Sequence, residues 1–156
     1  MHPSKLKIGL DYHGVIDSDY EYFAEFAAFA RSRGHRIYVI SGAPKVALCN
    51  ELSQHNFTAD FLFSVLDYCM ALGLIVQDTS GIKIDDRAWN RAKAEFCFYN
   101  QINLHIDDNQ QYCNYFSTIC CCFNGFDRFC RISENLILDF SLPPDNALIM
   151  LEKVLK

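Results

Sequence analysis

Three short apolar runs of the sequence are each followed at once by side chains that could do chemistry. These side chains are the carboxylate of Asp11, the hydroxyl of Ser41 and the carboxylates of Asp107 and Asp108. A single aspartate after a strand usually marks only a turn. In an open parallel sheet, however, the carboxyl ends of the strands share one edge, and ligands bind there. We therefore expect these four residues to meet in one crevice.

The elements that must position these residues alternate along the chain, which is typical of a parallel sheet with crossover helices. The predicted strands are residues 6–10, 36–40, 61–65, 102–106 and 119–123. The predicted helices are residues 20–32, 44 to about 55, a short one ending near Gly73, 87–99 capped by Asp85 or Asp86, and 145–155. A small hairpin around Ser80 and Gly81 is also expected. Residues 1–156 are predicted to form one α/β domain.

The bulk composition excludes several classes of function. The chain has a net charge of −5 and no basic cluster, so binding to nucleic acid through charge is not expected. No apolar run approaches the length of a membrane span, and residues 1–7 are polar and charged, unlike a secretory signal. The sequence therefore predicts a folded cytoplasmic protein that could still bind a small anion.

The eight cysteines are numerous for 156 residues. They lack the paired C-x₂-C spacing of a zinc site, and Cys120, Cys121 and Cys122 are adjacent, so their side chains should alternate between the two faces of a strand. We interpret the cysteines as small apolar side chains in a reducing compartment.

Four segments resemble, in order, the motifs of the haloacid-dehalogenase (HAD) superfamily. The run IGLDYHGVI at residues 8–16 is similar to the first motif, a strand ending in Asp-x-Asp-Gly-Thr/Val, and VISG at 39–42 is similar to the second. Lys93 stands on the helix where the family carries its third motif, and HIDDN at 105–109 resembles the acidic pair of the fourth. Beyond this last motif only a compatible strand and helix follow.

The resemblance implies a Rossmann-like sandwich of three layers with a central parallel sheet of about five strands. It also implies a Mg²⁺-dependent phosphohydrolase, because Mg²⁺ prefers oxygen ligands and neutralises the phosphoryl charge that repels an attacking carboxylate. Asp11 would be both nucleophile and metal ligand and would form an aspartyl-phosphate. Asp107 and Asp108 would bind the metal directly or through water, and the backbone carbonyl of His13 would be a further ligand.

The same resemblance assigns the phosphate-binding groups. Ser41 and the Gly42 N–H would donate hydrogen bonds to the phosphoryl oxygens, helped by the N-terminus of the following helix. Lys93 would balance charge between nucleophile and phosphate. Lys83 is an alternative at a spacing also seen in the family, but the short interval from Lys93 to the acidic pair favours Lys93.

His13 departs from the family pattern, because phosphatases of the family carry a second Asp there as the acid–base group. Three interpretations stay open. The imidazole could supply acid–base catalysis itself; the chain could be a regulatory or interaction module that binds Mg²⁺ and phosphate with little turnover; or its chemistry could differ, as in dehalogenases and phosphonatases, although the intact acidic pair argues against a metal-free enzyme. Asp17 and Asp19 could replace the missing acid–base group, but a turn that caps the next helix explains them as well.

Several other residues have a simpler structural interpretation. His105 lies inside a strand and is predicted to be a buried structural histidine. Trp89 and the phenylalanines of the first helix are predicted to be core residues rather than a stacking platform; these phenylalanines are Phe23, Phe26 and Phe29. Asn109 could orient Asp108 or a water molecule, and capping of the helix after the acidic pair explains it equally well.

The sequence has no room for a large cap domain. Residues 17–35 accommodate one helix, and residues 43–92 are mostly used by regular elements, so at most a hairpin at about 77–84 could act as a flap. We therefore expect an open site, unless a second copy of the chain covers it. The expected partner is a phosphorylated substrate, and the sequence does not indicate its size.

Overall fold

The computed structural model of the protein describes residues 5–155, with the backbone alone for residues 76–78. The strands are β1 (Lys7–Leu10), β2 (Arg36–Ser41), β3 (Phe61–Ser64), β4 (Ile75–Asp78), β5 (Gly81–Ile84), β6 (Leu104–Asp107), β7 (Ile119–Phe123), β8 (Phe129–Ser133) and β9 (Leu136–Asp139). The helices are α1 (Tyr20–Ser32), α2 (Lys45–Gln54), α3 (Val65–Ala71), α4 (Asp86–Tyr99), α5 (Gln110–Cys113) and α6 (Pro144–Val154), with a 3₁₀ turn at Ile16–Ser18.

Seven of these strands form one mixed sheet in the order β3-β2-β1-β6-β7-β8-β9, and β4 pairs only with β5. The first five strands in this order run parallel, whereas β8 and β9 join antiparallel. The α/β class is confirmed, and all five predicted strands are present. The expectation of a parallel sheet of about five strands is incomplete, because a final hairpin extends the sheet: β8 pairs antiparallel with β7, and β9 pairs antiparallel with β8.

Four of the five predicted strands differ at their ends: β1 begins and β2 ends one residue later than predicted, and β3 and β6 differ for identifiable reasons. The strand predicted at 61–65 ends at Ser64, because the Ser64 side chain caps α3 and makes Val65 the first helical residue. The strand predicted at 102–106 begins two residues later, since the Ile102 N–H still bonds to a carbonyl of α4.

Local capping chemistry explains the ends of the other elements near the site. Asp85 caps α4, because its side chain accepts hydrogen bonds from the Arg87 and Ala88 N–H groups. Of the two predicted caps, Asp85 and Asp86, the helix therefore uses Asp85. Pro44 lies just before α2 rather than inside it. The predicted hairpin at Ser80 and Gly81 is present as β4 and β5, and Gly81 has a φ of +130°, which favours glycine.

The sheet is buried on both faces, as the alternation along β2 shows. Ile37 and Val39 belong to the large hydrophobic cluster under α1 and α6, whereas Tyr38 and Ile40 belong to a separate cluster that includes residues of α4. Successive strand residues point to opposite faces, so the two clusters lie on either side of the sheet. This is a three-layer arrangement, coarsely Rossmann-like, in which the carboxyl ends of β1, β2 and β6 meet at one edge.

The phenylalanines of α1 divide between core and surface. Phe23 and Phe26 are fully buried, as predicted, but Phe29 is 43% exposed. The prediction for Phe29 is therefore wrong, because its position on the helix turns it away from the sheet. None of the helices within residues 5–155 combines the length and apolar character needed to span a membrane.

The interpretation of the eight cysteines as reduced, apolar side chains does not hold for two of them. Cys121 on β7 and Cys130 on β8 form a disulfide, with 5.4 Å between their Cα atoms. The antiparallel pairing of β7 with β8 places the two side chains diagonally on one face, and this pairing was not predicted. On the opposite face, the Sγ atoms of Cys113 and Cys120 lie 2.7 Å apart.

The buried carboxylate of Glu152 connects α6 to the residues that precede β1 and β2, with the exposed Arg33 as its ion-pair partner. Glu152 of α6 accepts two hydrogen bonds from the Arg33 guanidinium, at 2.8 and 2.7 Å, and contacts His35 Nε2 at 2.7 Å. The Leu6 N–H donates to His35 Nδ1, so the ring proton lies on Nε2 and is donated to Glu152. The Arg33 hydrogen bonds lower the pKa of Glu152 to about 2 against the opposing effect of burial.

We expect Glu152→Gln to lower the free energy of unfolding by about 1–3 kcal/mol at pH 7, because it leaves buried donors without a carboxylate. Glu152 contributes stability above its unfolded pKa of 4.5 and loses it as the pH falls through about 2. The difference between wild type and variant should therefore narrow from pH 5 to pH 2 in urea unfolding. Glu25→Gln, at an exposed position of α1, is the control. A difference that does not change with pH would contradict this account.

Candidate active site

Lys93 is the centre of the cluster formed at the carboxyl edge of the sheet. Its ammonium is buried and lies 2.8 Å from Asp11 Oδ2 and 2.7 Å from Asp107 Oδ2. Helix α4 brings it there from the face opposite α1. Of the two candidate lysines, the structure places Lys93 beside Asp11, whereas Lys83 lies exposed on β5.

Asp107 is fully buried, and both of its carboxylate oxygens are occupied. Oδ2 accepts from Lys93 Nζ and from His105 Nε2, and Oδ1 accepts from the Asn109 N–H at 3.0 Å. Burial acts to raise the pKa of Asp107, but the His105 hydrogen bond and the Lys93 charge outweigh it and lower that pKa to about 2. Asp107 is therefore a permanent anion that anchors the lysine.

His105 has the structural place predicted for it. Its ring is completely buried and stacks on Phe116, with ring centroids 5.1 Å apart. Burial lowers the pKa of His105, so the neutral ring donates its Nε2 proton to Asp107. Of the two roles open to Asn109, the structure shows the cap: its side chain accepts the Gln111 N–H and caps α5.

Asp11 and Asp108 are the carboxylates that face the open side of the cluster. Both line the pocket above Lys93, and one oxygen from each of Asp11, Asp107 and Asp108 lies within 4.8 Å of the other two. Burial, opposed by the charge of Lys93, raises the pKa of Asp11 to about 7. Burial and the neighbouring Asp107 also raise the pKa of Asp108. The ionised forms of Asp11 and Asp108 are therefore disfavoured, and a bound cation would stabilise them.

The glycine of the first motif makes room for this arrangement. Gly14 has a φ of +78°, and a Cβ atom at this position would clash with the carboxylate of Asp108. Only glycine combines this left-handed backbone with the close approach. Asp11 Oδ1 accepts the N–H of Tyr12 at 2.8 Å, so the same turn also orients the first carboxylate.

His13 lies at the rim of the pocket and has a carboxylate partner. Its side chain is 66% exposed, and its Nδ1 lies 3.1 Å from Asp17 Oδ2. The other oxygen of Asp17 accepts the Gly14 N–H at 2.6 Å, which fixes Asp17 on the same turn. The contact uses Nδ1, so Nε2 is the nitrogen that His13 offers to a ligand.

The two aspartates that follow the first motif have different places. Asp17 orients His13 and is not a helix cap. Asp19 is the cap of α1, accepts the Tyr22 N–H and pairs with Arg128 at 2.6 Å. Asp19 is therefore structural, whereas Asp17 belongs to the rim of the site.

The two residues of the second motif differ in their access to the pocket. Gly42 lines the pocket, but Ser41 is fully buried, and its Oγ accepts the Ala43 N–H at 3.2 Å. Ser41 thus stabilises the turn that follows β2, and among the described residues the pocket side of this turn is formed by the backbone of Gly42 and its neighbours.

The pocket has a volume of about 720 Å³ and an aromatic wall that the sequence did not predict. The aromatic wall consists of Trp89 and Tyr112, and Trp89 Nε1 donates to the Tyr112 hydroxyl at 3.2 Å. The prediction of Trp89 as a core residue is wrong in part, because its half-buried indole also lines the pocket. A signal was present: Trp89 precedes Lys93 by four residues and so shares its helix face. None of the hairpin side chains that the structure describes, at residues 75 and 79–84, lines this pocket, and the remaining part of the segment considered as a flap lies outside the described side chains.

No protein-family model matches this chain, and no curated protein matches it. The function must therefore be inferred from the site itself. Its defining feature is a buried lysine that joins two aspartates, next to a third aspartate and a glycine turn at the mouth of a pocket.

In the absence of divalent cations, we expect Asp11→Asn to stabilise the protein by about 1–3 kcal/mol at pH 8. The native pKa of Asp11, about 7, lies above the unfolded value of 3.8, so its contribution to stability is complete below pH 3.8 and is lost as the pH rises through 7. The asparagine side chain of the variant stays neutral at pH 8, so the variant does not lose this stability. Lys93 keeps Asp107 as its ion-pair partner.

Urea unfolding in a chelator at pH 5 and pH 8 checks this expectation. The gain should be smaller at pH 5 than at pH 8, because the stability is lost progressively between the unfolded pKa of 3.8 and the native pKa of about 7. Asp86→Asn, at an exposed position in the first turn of α4, is the matched control. Destabilisation of Asp11→Asn at pH 8 would show that the ionised carboxylate is not a cost to the native state.

Proposed function

We propose that the protein is a Mg²⁺-dependent phosphohydrolase of the HAD type that works through an aspartyl-phosphate on Asp11. The observation that carries the proposal is the position of the Lys93 ammonium, 2.8 Å from Asp11 and 2.7 Å from Asp107, beneath a pocket into which Asp108 opens. A carboxylate held against a buried cation is suited to attack an anionic phosphoryl group, because the cation offsets their repulsion. The motif resemblance gives the same residues the same roles.

The donor set fits a divalent cation that prefers oxygen ligands. Asp107 already binds three donors, so Asp11 and Asp108 are the side chains that would hold the ion, with Asp107 behind them. The resemblance adds the backbone carbonyl of His13. Mg²⁺ takes such ligands and keeps several waters, and when bound it would neutralise the phosphoryl oxygens and keep Asp11 ionised.

The residues of this chain then divide the reaction between them. The Gly42 N–H and Lys93 would hold the phosphoryl oxygens, while Asp11 attacks phosphorus and the ester P–O bond breaks. The leaving oxygen takes a proton from Nε2 of the doubly protonated His13 ring, and the proton on Nδ1 stays with Asp17. In the second half, His13 accepts a proton from water as the water oxygen attacks phosphorus, and the Asp11 carboxylate is released together with inorganic phosphate.

The contact between His13 and Asp17 supports turnover over simple binding. A carboxylate at Nδ1 fixes the ring and favours the tautomer that presents Nε2 to the ligand. Asp17 is itself fixed by the Gly14 N–H, so the carboxylate that orients the His13 ring has a defined position.

A second candidate is a binding module that keeps the phosphate and cation site but has lost turnover. It is favoured by the exposure of His13, which stands where phosphatases of the family carry an acid and has 66% of its side chain in contact with solvent. Calorimetry that shows Mg²⁺ and phosphate binding by a protein without hydrolytic activity would select this candidate.

We expect p-nitrophenyl phosphate to be hydrolysed in the presence of Mg²⁺, and Asp11→Asn to lower the rate by about 10³-fold or more, because the variant lacks the nucleophile. Initial rates between pH 5 and pH 9, with and without a chelator, give the measurement. Asp86→Asn should keep the wild-type rate. Equal rates for wild type and Asp11→Asn would exclude the aspartyl-phosphate mechanism.

The role of His13 predicts a dependence on the leaving group. His13→Gln should slow hydrolysis of an alkyl phosphate by about 10²–10⁴-fold, because an alkoxide needs a proton to leave. Measured as kcat/KM, which covers only the steps up to release of the alcohol, the loss should be much smaller for p-nitrophenyl phosphate, since p-nitrophenolate leaves unaided. Asp17→Asn should show the same pattern more weakly. An equal loss on both esters would mean that His13 is not the acid.

A further inference from the structure

The alcohol part of the substrate is the question that the proposed phosphohydrolase leaves open. We propose that the pocket selects phosphate monoesters whose alcohol carries a planar aromatic ring, and that this ring stacks on the aromatic wall formed by Trp89 and Tyr112. The proposal rests on the phosphate site described above and names its substrate class.

The aromatic wall begins directly at the phosphate-binding turn. A Cβ atom on Gly42 would lie only 2.9 Å from Cζ2 of Trp89, so the indole is in contact with that glycine. At the other end, the Tyr112 ring centroid lies 4.8 Å from Lys93 Nζ. A phosphoryl group bound between Gly42 and Lys93 would therefore lie beside both rings.

The wall is held rigidly before any ligand arrives. The Trp89 indole N–H donates to the Tyr112 hydroxyl, and the rest of the ring packs against the small cluster that contains Val65 and Ala92. Preorganised aromatic surface loses little conformational entropy on binding. The polar edge of Trp89 is thus already satisfied, and the surface left to the ligand is apolar.

The charges around the pocket point to the same substrate class. Lys93 is the one lysine or arginine among its lining residues in the described part of the chain, and it is already committed to two aspartates. A second phosphate or carboxylate on the substrate would meet no further lysine or arginine among the described lining residues and would face Asp108. Val65, Ala43 and Pro44 add apolar surface to the pocket. An uncharged, planar group next to a single phosphate fits this lining best.

Binding can be measured apart from catalysis, because Trp89 is the single tryptophan of the chain. We would titrate Asp11→Asn, which should not turn over, in Mg²⁺ with phenyl phosphate, adenosine 5′-monophosphate, glycerol phosphate and inorganic phosphate. Trp89 fluorescence should change on stacking. Phenyl phosphate should bind about 5- to 100-fold more tightly than glycerol phosphate, as expected for one ring stacked on an aromatic side chain.

Phenyl phosphate and adenosine 5′-monophosphate hold their rings at different distances from the phosphate, so a comparison of their affinities shows which distance the pocket favours. Tighter binding of phenyl phosphate than of the nucleotide would place the ring at the ester oxygen, and the reverse order would place it beyond a ribose. Either order supports the aromatic wall as the selecting surface. Glycerol phosphate that binds as tightly as both would overturn the inference.

Variants of the wall test the assignment by a second route. Tyr112→Leu and Trp89→Leu should abolish the preference for phenyl phosphate over glycerol phosphate in calorimetry, with the affinity for inorganic phosphate unchanged. Tyr99→Leu, 79% exposed on α4 and outside the pocket, should keep the preference. Tyr112→Leu remains informative if Trp89→Leu fails to fold, which circular dichroism would reveal.

The outcomes separate this inference from the proposed function. Binding of inorganic phosphate with no preference for aromatic esters would leave the phosphate site standing and overturn the aromatic wall. Loss of the preference in Tyr99→Leu as well as in Tyr112→Leu would also overturn it. Absence of binding by every ligand to Asp11→Asn, together with absence of inorganic phosphate binding by the wild type in Mg²⁺, would remove both the site and its specificity.

Discussion

The buried ammonium of Lys93 is the interaction on which the rest of the site depends. Two carboxylates, Asp11 and Asp107, lie in a nearly dry environment at the ends of adjacent strands, and without a cation between them they could not both be ionised. The lysine is itself stable there only because both anions surround it, and together they raise its pKa despite burial. Helix α4 and strands β1 and β6 are thus joined by charge as well as by packing.

Because of this interaction, the three carboxylates of the site have different roles. Asp107 is saturated by Lys93, His105 and the Asn109 N–H, so it holds the lysine rather than a ligand. Asp11 keeps a pKa of about 7 because burial outweighs the help it receives from the lysine. Asp108 opens into the pocket. The carboxylates at this edge of the sheet lower the stability of the native state unless a positive ion binds there. Functional sites commonly carry such a cost.

One face of α4 carries both the buried cation and part of the aromatic wall. Trp89 and Lys93 are four residues apart on α4, so the helix that delivers the cation also delivers the aromatic wall. The short helix α5 completes this surface: Asn109 caps it and donates its N–H to Asp107, and Tyr112 contacts both Lys93 and Trp89. Binding surface and buried ion network are therefore parts of one unit, and a shift in either helix would disturb both.

The sequence alone determined the α/β class, the five parallel strands and the convergence of Asp11, Asp107 and Asp108, because strand ends are marked by local polarity and parallel strands share their carboxyl edge. It also favoured Lys93 over Lys83. Only the tertiary structure decided that Asp107 is saturated, that Asp17 orients His13 and that Trp89 and Tyr112 form a wall. These contacts join residues whose relative positions depend on packing between elements. For the same reason the antiparallel β8–β9 hairpin and the Cys121–Cys130 disulfide were beyond the reach of local sequence patterns.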